Sequence, residues 1–204
     1  MYPLRGLYLV TPDWDDTEQL LAVSEQALQG GAQLLQYRHK TAGLAQRREQ
    51  AAALLRLCRR YGIACIINDH LDLCQELDAD GVHVGGTDLA PAQVRAALGP
   101  DKIVGASCYG DLALAQQAAA AGVSYLAFGG FYPSRVKQYA VGTPADLVSQ
   151  AQQRWNLPCV VIGGMTVDNC QPLIARGSAM VAVISSVYSV PDPGAAARSF
   201  AALF

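Results

Sequence analysis

Short runs of apolar, often β-branched residues recur along the chain, and each gives way to a longer stretch with helical spacing. The runs predict strands over residues 6–10, 33–37, 64–67, 81–84, 103–106, 125–128, 158–162 and 180–184. The stretches between them predict helices over 17–29, 44–60, 72–76, 91–98, 111–121, 144–154, 167–176 and 193–203. In the first of these, Leu20, Leu21, Ser24, Ala27 and Leu28 share a face, and Gly30-Gly31 ends it. Strands that are apolar throughout, without alternation, are covered on both faces. Strict alternation of eight such strands with eight helices predicts a closed parallel barrel, a single-domain (β/α)8 TIM barrel spanning residues 1–204. An open doubly wound sheet is the structural alternative. No Gly-x-Gly-x-x-Gly follows the first strand, where Val10 runs into Thr11-Pro12-Asp13, and this weighs against a dinucleotide-binding sheet.

A barrel of this kind carries its chemistry at the C-terminal ends of its strands. After the second strand, "QYRHK" puts Gln36, Arg38 and Lys40 on one side of an extended segment. The planar fork of Arg38 and the point charge of Lys40 suit phosphate oxygens, although a solvated loop would also carry them. After the third strand come Asn68-Asp69-His70, and after the fourth, Asp88. Taken singly, Asn68 or Asp69 suits a helix N-cap and Asp88 a turn before Pro91. Taken together, Asp69 and Asp88 on neighbouring strand ends are placed to share a hard cation, and Mg²⁺ commonly takes one or two carboxylates plus phosphate oxygens.

Ser107-Cys108-Tyr109 follow the fifth strand, with no histidine near them in sequence, which argues against covalent catalysis. A Gly-rich loop ending in Lys137 follows the sixth, long enough to close over a site. Gly163-Gly164 and then Ser185-Ser186 follow the last two strands, where barrels commonly hold phosphate, and Thr166 is placed to cap a helix starting near Val167. His39, His70 and His83 read as structural histidines. The layout suggests two anionic groups, one held by Arg38, Lys40, Lys137 and a metal, the other by backbone N–H groups near Gly164 and Ser185.

Composition narrows the field. The formal net charge is −2 and charged residues make up 16% of the chain, so neither a nucleic-acid partner nor a basic membrane surface is expected. The apolar run near the N-terminus is too short for a signal peptide or a membrane span. The six cysteines form no C-x-x-C pair, and buried free thiols are expected of them. These features together predict a cytoplasmic protein.

"LLQYRHK", "INDHLDL", "DADGVHVGGTDL" and "AFGGFYPSRVK", in that order, resemble the thiamine-phosphate synthase family, and the resemblance runs from Leu7 to Tyr188. It implies a small Mg²⁺-dependent barrel acting on small phosphorylated substrates. Such an enzyme couples 4-amino-2-methyl-5-pyrimidinylmethyl diphosphate to a thiazole phosphate, or to its carboxylated form, releasing pyrophosphate. It implies further that Gln36, Tyr37, Arg38, His39, Lys40, Asn68, Ser107 and Lys137 hold the pyrimidine diphosphate. Arg38, Lys40, Lys137 and Ser107 would assist catalysis, and Asp69 and Asp88 would bind Mg²⁺. Ser134, Arg135, Val136, Gly164, Ile184 and Ser185 would hold the thiazole phosphate. The chain departs from the family pattern at Gly86 (often Gln), at Tyr109 (often His), and at Ser134-Arg135-Val136-Lys137 (commonly Thr-x-Thr-Lys). A tautomerase-like isomerase and a non-catalytic phosphate-binding barrel are the alternatives. The paired Asp69 and Asp88, and Gly130 where the tautomerase branch carries His, speak against the first. The intact set of cations and carboxylates speaks against the second.

Overall fold

The structure is a computed structural model and describes residues 2–86, 88–133 and 142–204. Its parallel strands β1 (Gly6–Val10), β2 (Leu34–Tyr37), β3 (Ala64–Asn68), β4 (Gly81–Val84), β5 (Ile103–Tyr109), β6 (Tyr125–Gly129), β7 (Cys159–Ile162) and β8 (Ser178–Val183) close into a barrel in sequence order. The open-sheet alternative falls on this closure. Helices α1 (Thr17–Gln29), α2 (Leu44–Tyr61), α3 (Leu71–Leu77), α4 (Pro91–Leu98), α5 (Leu112–Ala120), α6 (Asp146–Trp155), α7 (Val167–Ile174) and α9 (Pro193–Ala201) lie in the predicted order. A one-turn helix α8 (Ser185–Tyr188), absent from the sequence expectation, precedes α9.

Two apolar layers explain why the strands are apolar throughout. Outward residues such as Leu7, Leu35, Ile67, Val82, Phe128 and Val181 pack under the helices. Inward residues, among them Tyr8, Val10, Leu34, Ala64, Ile66, Val160 and Met180, fill the barrel interior. All six cysteines are free and buried, as their apolar settings predict. Towards the mouth the inward positions turn polar: Gln36, Asn68, His83 and Ser107. Tyr125 reaches this interior because residue 105 is a glycine, where an added Cβ would fall 2.0 Å from the Tyr125 ring. Strand β5 runs three residues beyond its expected end, through a bulge at Ser107–Tyr109 that shifts its register against β6. Among the described residues no helix is long and apolar enough to cross a membrane.

Candidate active site

A cavity of about 280 Å³ opens at the C-terminal mouth, near the lower end of the usual range for small-molecule sites. Gln36, Arg38, Lys40, Asn68, Asp69, Asp88 and Ser107 all line it, so side chains separated by 71 positions in sequence meet on one wall. The β2 end shows how alternation sorts them. Gln36, Arg38 and Lys40 face the cavity, whereas the intervening side chains turn outward. Tyr37 is buried and donates from its hydroxyl to Gln50 Oε1 of α2 at 3.0 Å. His39 is buried as well, and its Nδ1 accepts from the Ala42 N–H at 3.0 Å.

Arg38 is held from beneath. Its Nη1 donates to both oxygens of Asp13, at 3.0 and 3.1 Å, and Asp13 also accepts the Lys40 N–H at 2.8 Å. Buried Thr11 clasps the same turn, taking the Arg38 N–H at 2.7 Å and donating to the Arg38 carbonyl at 2.9 Å. Sequence reasoning passed over Thr11 and Asp13, although they occupy the end of β1 and the rule applied to the other strands points to them. Arg38 keeps a buried Nε that no hydrogen bond satisfies within the described residues.

Asp69 is not a helix cap. The N-cap of α3 is His70, and Asp69 sits at φ +64°, a left-handed conformation uncommon outside glycine, with its N–H on the His83 carbonyl at 2.9 Å. That twist turns its carboxylate onto the Lys40 ammonium. Asp88 does form a turn, accepting the Gly85 N–H at 2.7 Å, and still lines the cavity beside Asp69. Burial works to raise the Asp69 carboxyl, but hydrogen bonds accepted from Lys40 and from Asp88 outweigh it and hold the group below the usual range. Burial and the hydrogen bond to Asp69 push Asp88 the other way, above it. Two hard-oxygen carboxylates that press on each other in this way fit a shared divalent cation, which would relieve their repulsion. Among the described residues no cluster of three or more His, Cys, Asp or Glu is placed to hold a metal, so further ligands would come from water or substrate.

Ser107 has a partner that sequence distance does not reveal. No histidine is near it in sequence, but the barrel brings His83 Nε2 within 2.9 Å of its Oγ. The parallel register of β4 with β5, His83 opposite Gly105, creates that contact. Neighbouring Cys108 is unsuited to nucleophilic work: it faces the helices, fully buried, and burial pushes its thiol up to about 12. The departures at Gly86 and Tyr109 prove to be one feature. Tyr109 lines the cavity and its hydroxyl accepts the Gly86 N–H at 3.1 Å. An added Cβ at residue 86 would lie 3.4 Å from the tyrosine ring, so the ring lies over the site where a larger residue 86 would begin.

Across the mouth, Gly163 and Gly164 both take positive φ. An added Cβ on Gly164 would fall 2.2 Å from the Pro133 carbonyl oxygen, so only glycine lets these loops meet. Thr166 caps α7 as expected, its Oγ1 accepting the Asn169 N–H at 3.2 Å while Asn169 Oδ1 accepts the Thr166 N–H at 2.8 Å. Ile184 and Ser185 follow β8, half-buried, where α8 begins. Ser134, Arg135, Val136 and Lys137 lie outside the described residues.

The family model described as thiamine monophosphate synthase matches residues 7–187. Over 201 residues the chain is 63% identical to the thiamine-phosphate synthase of Janthinobacterium sp. (strain Marseille), covering 98% of this chain and 97% of that one. It is 50% identical over 202 residues to that of Methylobacillus flagellatus, covering 99% and 96%. Among solved structures, thiamine phosphate pyrophosphorylase from Pyrococcus furiosus superposes with a TM-score of 0.86 at 28% identity, covering 98% of this chain and 96% of that one.

Proposed function

The chain belongs to the thiamine monophosphate synthase family, and from that premise we propose how its mouth residues divide the work of the family's reaction. The enzyme is a transferase of thiamine biosynthesis that condenses 4-amino-2-methyl-5-pyrimidinylmethyl diphosphate with a thiazole phosphate to give thiamine phosphate and pyrophosphate. Gln36, Arg38 and Lys40 hold the pyrimidine diphosphate with their side chains, while Tyr37 and His39, turned outward, contribute backbone. Asn68, Ser107 and Lys137 complete that site. Asp69 and Asp88 hold Mg²⁺, which when bound supplies positive charge to the diphosphate oxygens. Gly164, Ile184 and Ser185, with Ser134, Arg135 and Val136, hold the thiazole phosphate, or its carboxylated form.

The observation that carries this reading is the convergence of Arg38, Lys40 and the mutually opposed Asp69 and Asp88 on one cavity. Breaking the C–O bond to diphosphate leaves a pyrimidinylmethyl cation that the ring's own amino group stabilises. The protein therefore has to neutralise the departing group and hold the thiazole nitrogen in line. Preorganised cations do the first, and such electrostatic stabilisation often makes the largest contribution to a rate enhancement. Positioning does the second. The route requires no activated nucleophile. A cytoplasmic location accords with a biosynthetic role and the free buried cysteines.

The test is pyrophosphate release by the purified chain with both substrates and Mg²⁺, repeated with each thiazole form. Product is expected only when all three are present, and chelation with EDTA is expected to abolish it. Turnover that persists after exhaustive chelation would remove Asp69 and Asp88 from the mechanism.

A further inference from the structure

Beneath the cavity a chain of side-chain hydrogen bonds crosses the barrel interior. Gln36 Nε2 donates to the Tyr8 hydroxyl at 2.6 Å, and the Tyr8 and Tyr125 hydroxyls lie 2.7 Å apart. The Tyr125 hydroxyl is 3.0 Å from His83 Nδ1, and His83 Nε2 is 2.9 Å from Ser107 Oγ. The His83 and Tyr125 rings are nearly parallel, at 15° with centroids 5.7 Å apart, and both tyrosines are fully buried. Sequence reasoning treated His83 as structural, and the mechanism above does not use it.

With the Gln36 amide as donor, hydrogen-bond arithmetic gives this chain a direction. Each phenol has one hydrogen to give. Tyr8 already receives a hydrogen from Gln36, so among the described residues its own finds a partner only in Tyr125. The Tyr125 hydrogen then goes to His83 Nδ1. The reverse order would leave the buried Tyr8 donor without an acceptor among the described residues, at a cost of about 1–3 kcal/mol. With Nδ1 accepting, the neutral imidazole carries its hydrogen on Nε2 and donates it to Ser107 Oγ. The serine hydrogen is then left to turn to the cavity that Ser107 lines.

Resting on the reading of Ser107 as a diphosphate-binding residue, we propose that His83 is a positioning residue. Held by Tyr125, it donates to Ser107 Oγ and makes the serine a hydrogen-bond donor to the departing diphosphate. The opposite tautomer would take the serine's hydrogen and present a lone pair to an anion. The buried phenols therefore select the histidine tautomer, and the histidine selects the polarity of the serine.

Two measurements test this. ¹⁵N–¹H correlation spectra of the ligand-free enzyme, with the His83 signals assigned through His83→Gln, are expected to show hydrogen on Nε2 and none on Nδ1. Hydrogen on Nδ1 would overturn the proposal whether or not the enzyme turns over. In a double-mutant cycle, His83→Leu and Ser107→Ala are each expected to lower kcat about 10- to 100-fold, the effect of one hydrogen bond to a charged group. KM for the pyrimidine diphosphate should move less, because the bond strengthens as charge develops on the leaving group. The double variant should be no slower than Ser107→Ala, and His83→Gln, which restores an N–H donor, should recover most of the lost rate. Losses that multiply, or no recovery in a folded Gln variant, would make His83 a residue of the barrel core alone. A wild-type enzyme that forms no thiamine phosphate would instead defeat the functional reading and leave the tautomer result standing.

Discussion

After β2, β3 and β4 the barrel mouth is built from side chains. Arg38 is braced by Asp13 and Thr11, Lys40 meets Asp69, and Asp88 faces Asp69. After β7 and β8 it is built from backbone, with two glycines at positive φ, a helix capped by Thr166, and Gly164 pressed against the Pro133 carbonyl. The first region carries full charges, which suit a leaving group that gains charge as its bond breaks. The second has the loop geometry that barrels use for a phosphate whose charge does not change during the reaction. Interactions that strengthen in the transition state raise kcat, whereas those constant throughout only lower KM. The two regions should therefore answer mutation in different kinetic parameters.

The largest effect is expected on the side-chain region. Arg38→Ala should lower kcat about 10²–10³-fold, the typical cost of one transition-state donor. Its thermal midpoint should fall by only about 2–4 °C, because partly exposed Asp13 can turn to solvent. A variant with unchanged turnover in steady-state assays would show that Arg38 merely ties β2 to the β1 loop.

Gly164→Ala is the counterpart on the backbone region. A Cβ there meets a main-chain oxygen that cannot move aside, and φ +63° adds strain. A loss of about 1–3 kcal/mol in stability is expected. In kinetics, KM for the thiazole phosphate should rise about tenfold while kcat and KM for the pyrimidine diphosphate hold. If kcat drops instead, the division between the two regions fails.

A smaller effect should come from Asp13→Asn. The amide keeps the shape but loses the charge that fixes the Arg38 fork, and kcat is expected to fall severalfold, by no more than about tenfold. A loss as large as that of Arg38→Ala would mean that orientation alone accounts for the whole contribution of Arg38.

The two regions were also unequally legible in the sequence. Barrel topology followed from eight apolar runs between helical stretches, because burial on both faces leaves a signature that needs no tertiary knowledge. Arg38, Lys40, Asp69 and Asp88 stood out by charge at strand ends. The pairing of His83 with Ser107 did not, since it depends on cross-strand register and on an empty slot at Gly105 that admits Tyr125. The bulge that lengthens β5 and the one-turn helix after Ile184 were missed for a related reason. Segments that short are shaped by their neighbours and not by their own periodicity. Gly164 was readable as a glycine needing freedom, but its contact, the Pro133 carbonyl, was not.

Tyr37→Phe probes the boundary of the side-chain region, with the smallest expected effect on catalysis. Tyr37 lies between two cavity-lining residues in sequence, and the family resemblance counts it among the substrate-holding positions. Its hydroxyl nevertheless points to α2, where it satisfies Gln50 Oε1, and Gln50 in turn donates to the Trp14 carbonyl at 2.9 Å. Removing the hydroxyl leaves a fully buried amide oxygen without its donor, so stability should fall by about 1–3 kcal/mol in denaturant titration. Both KM values and kcat should stay within about twofold, because the backbone of residues 36–40 and the inward side chains are untouched. A tenfold rise in KM for the pyrimidine diphosphate would place the Tyr37 side chain on the substrate, and alternation along β2 would then no longer separate what binds from what merely packs.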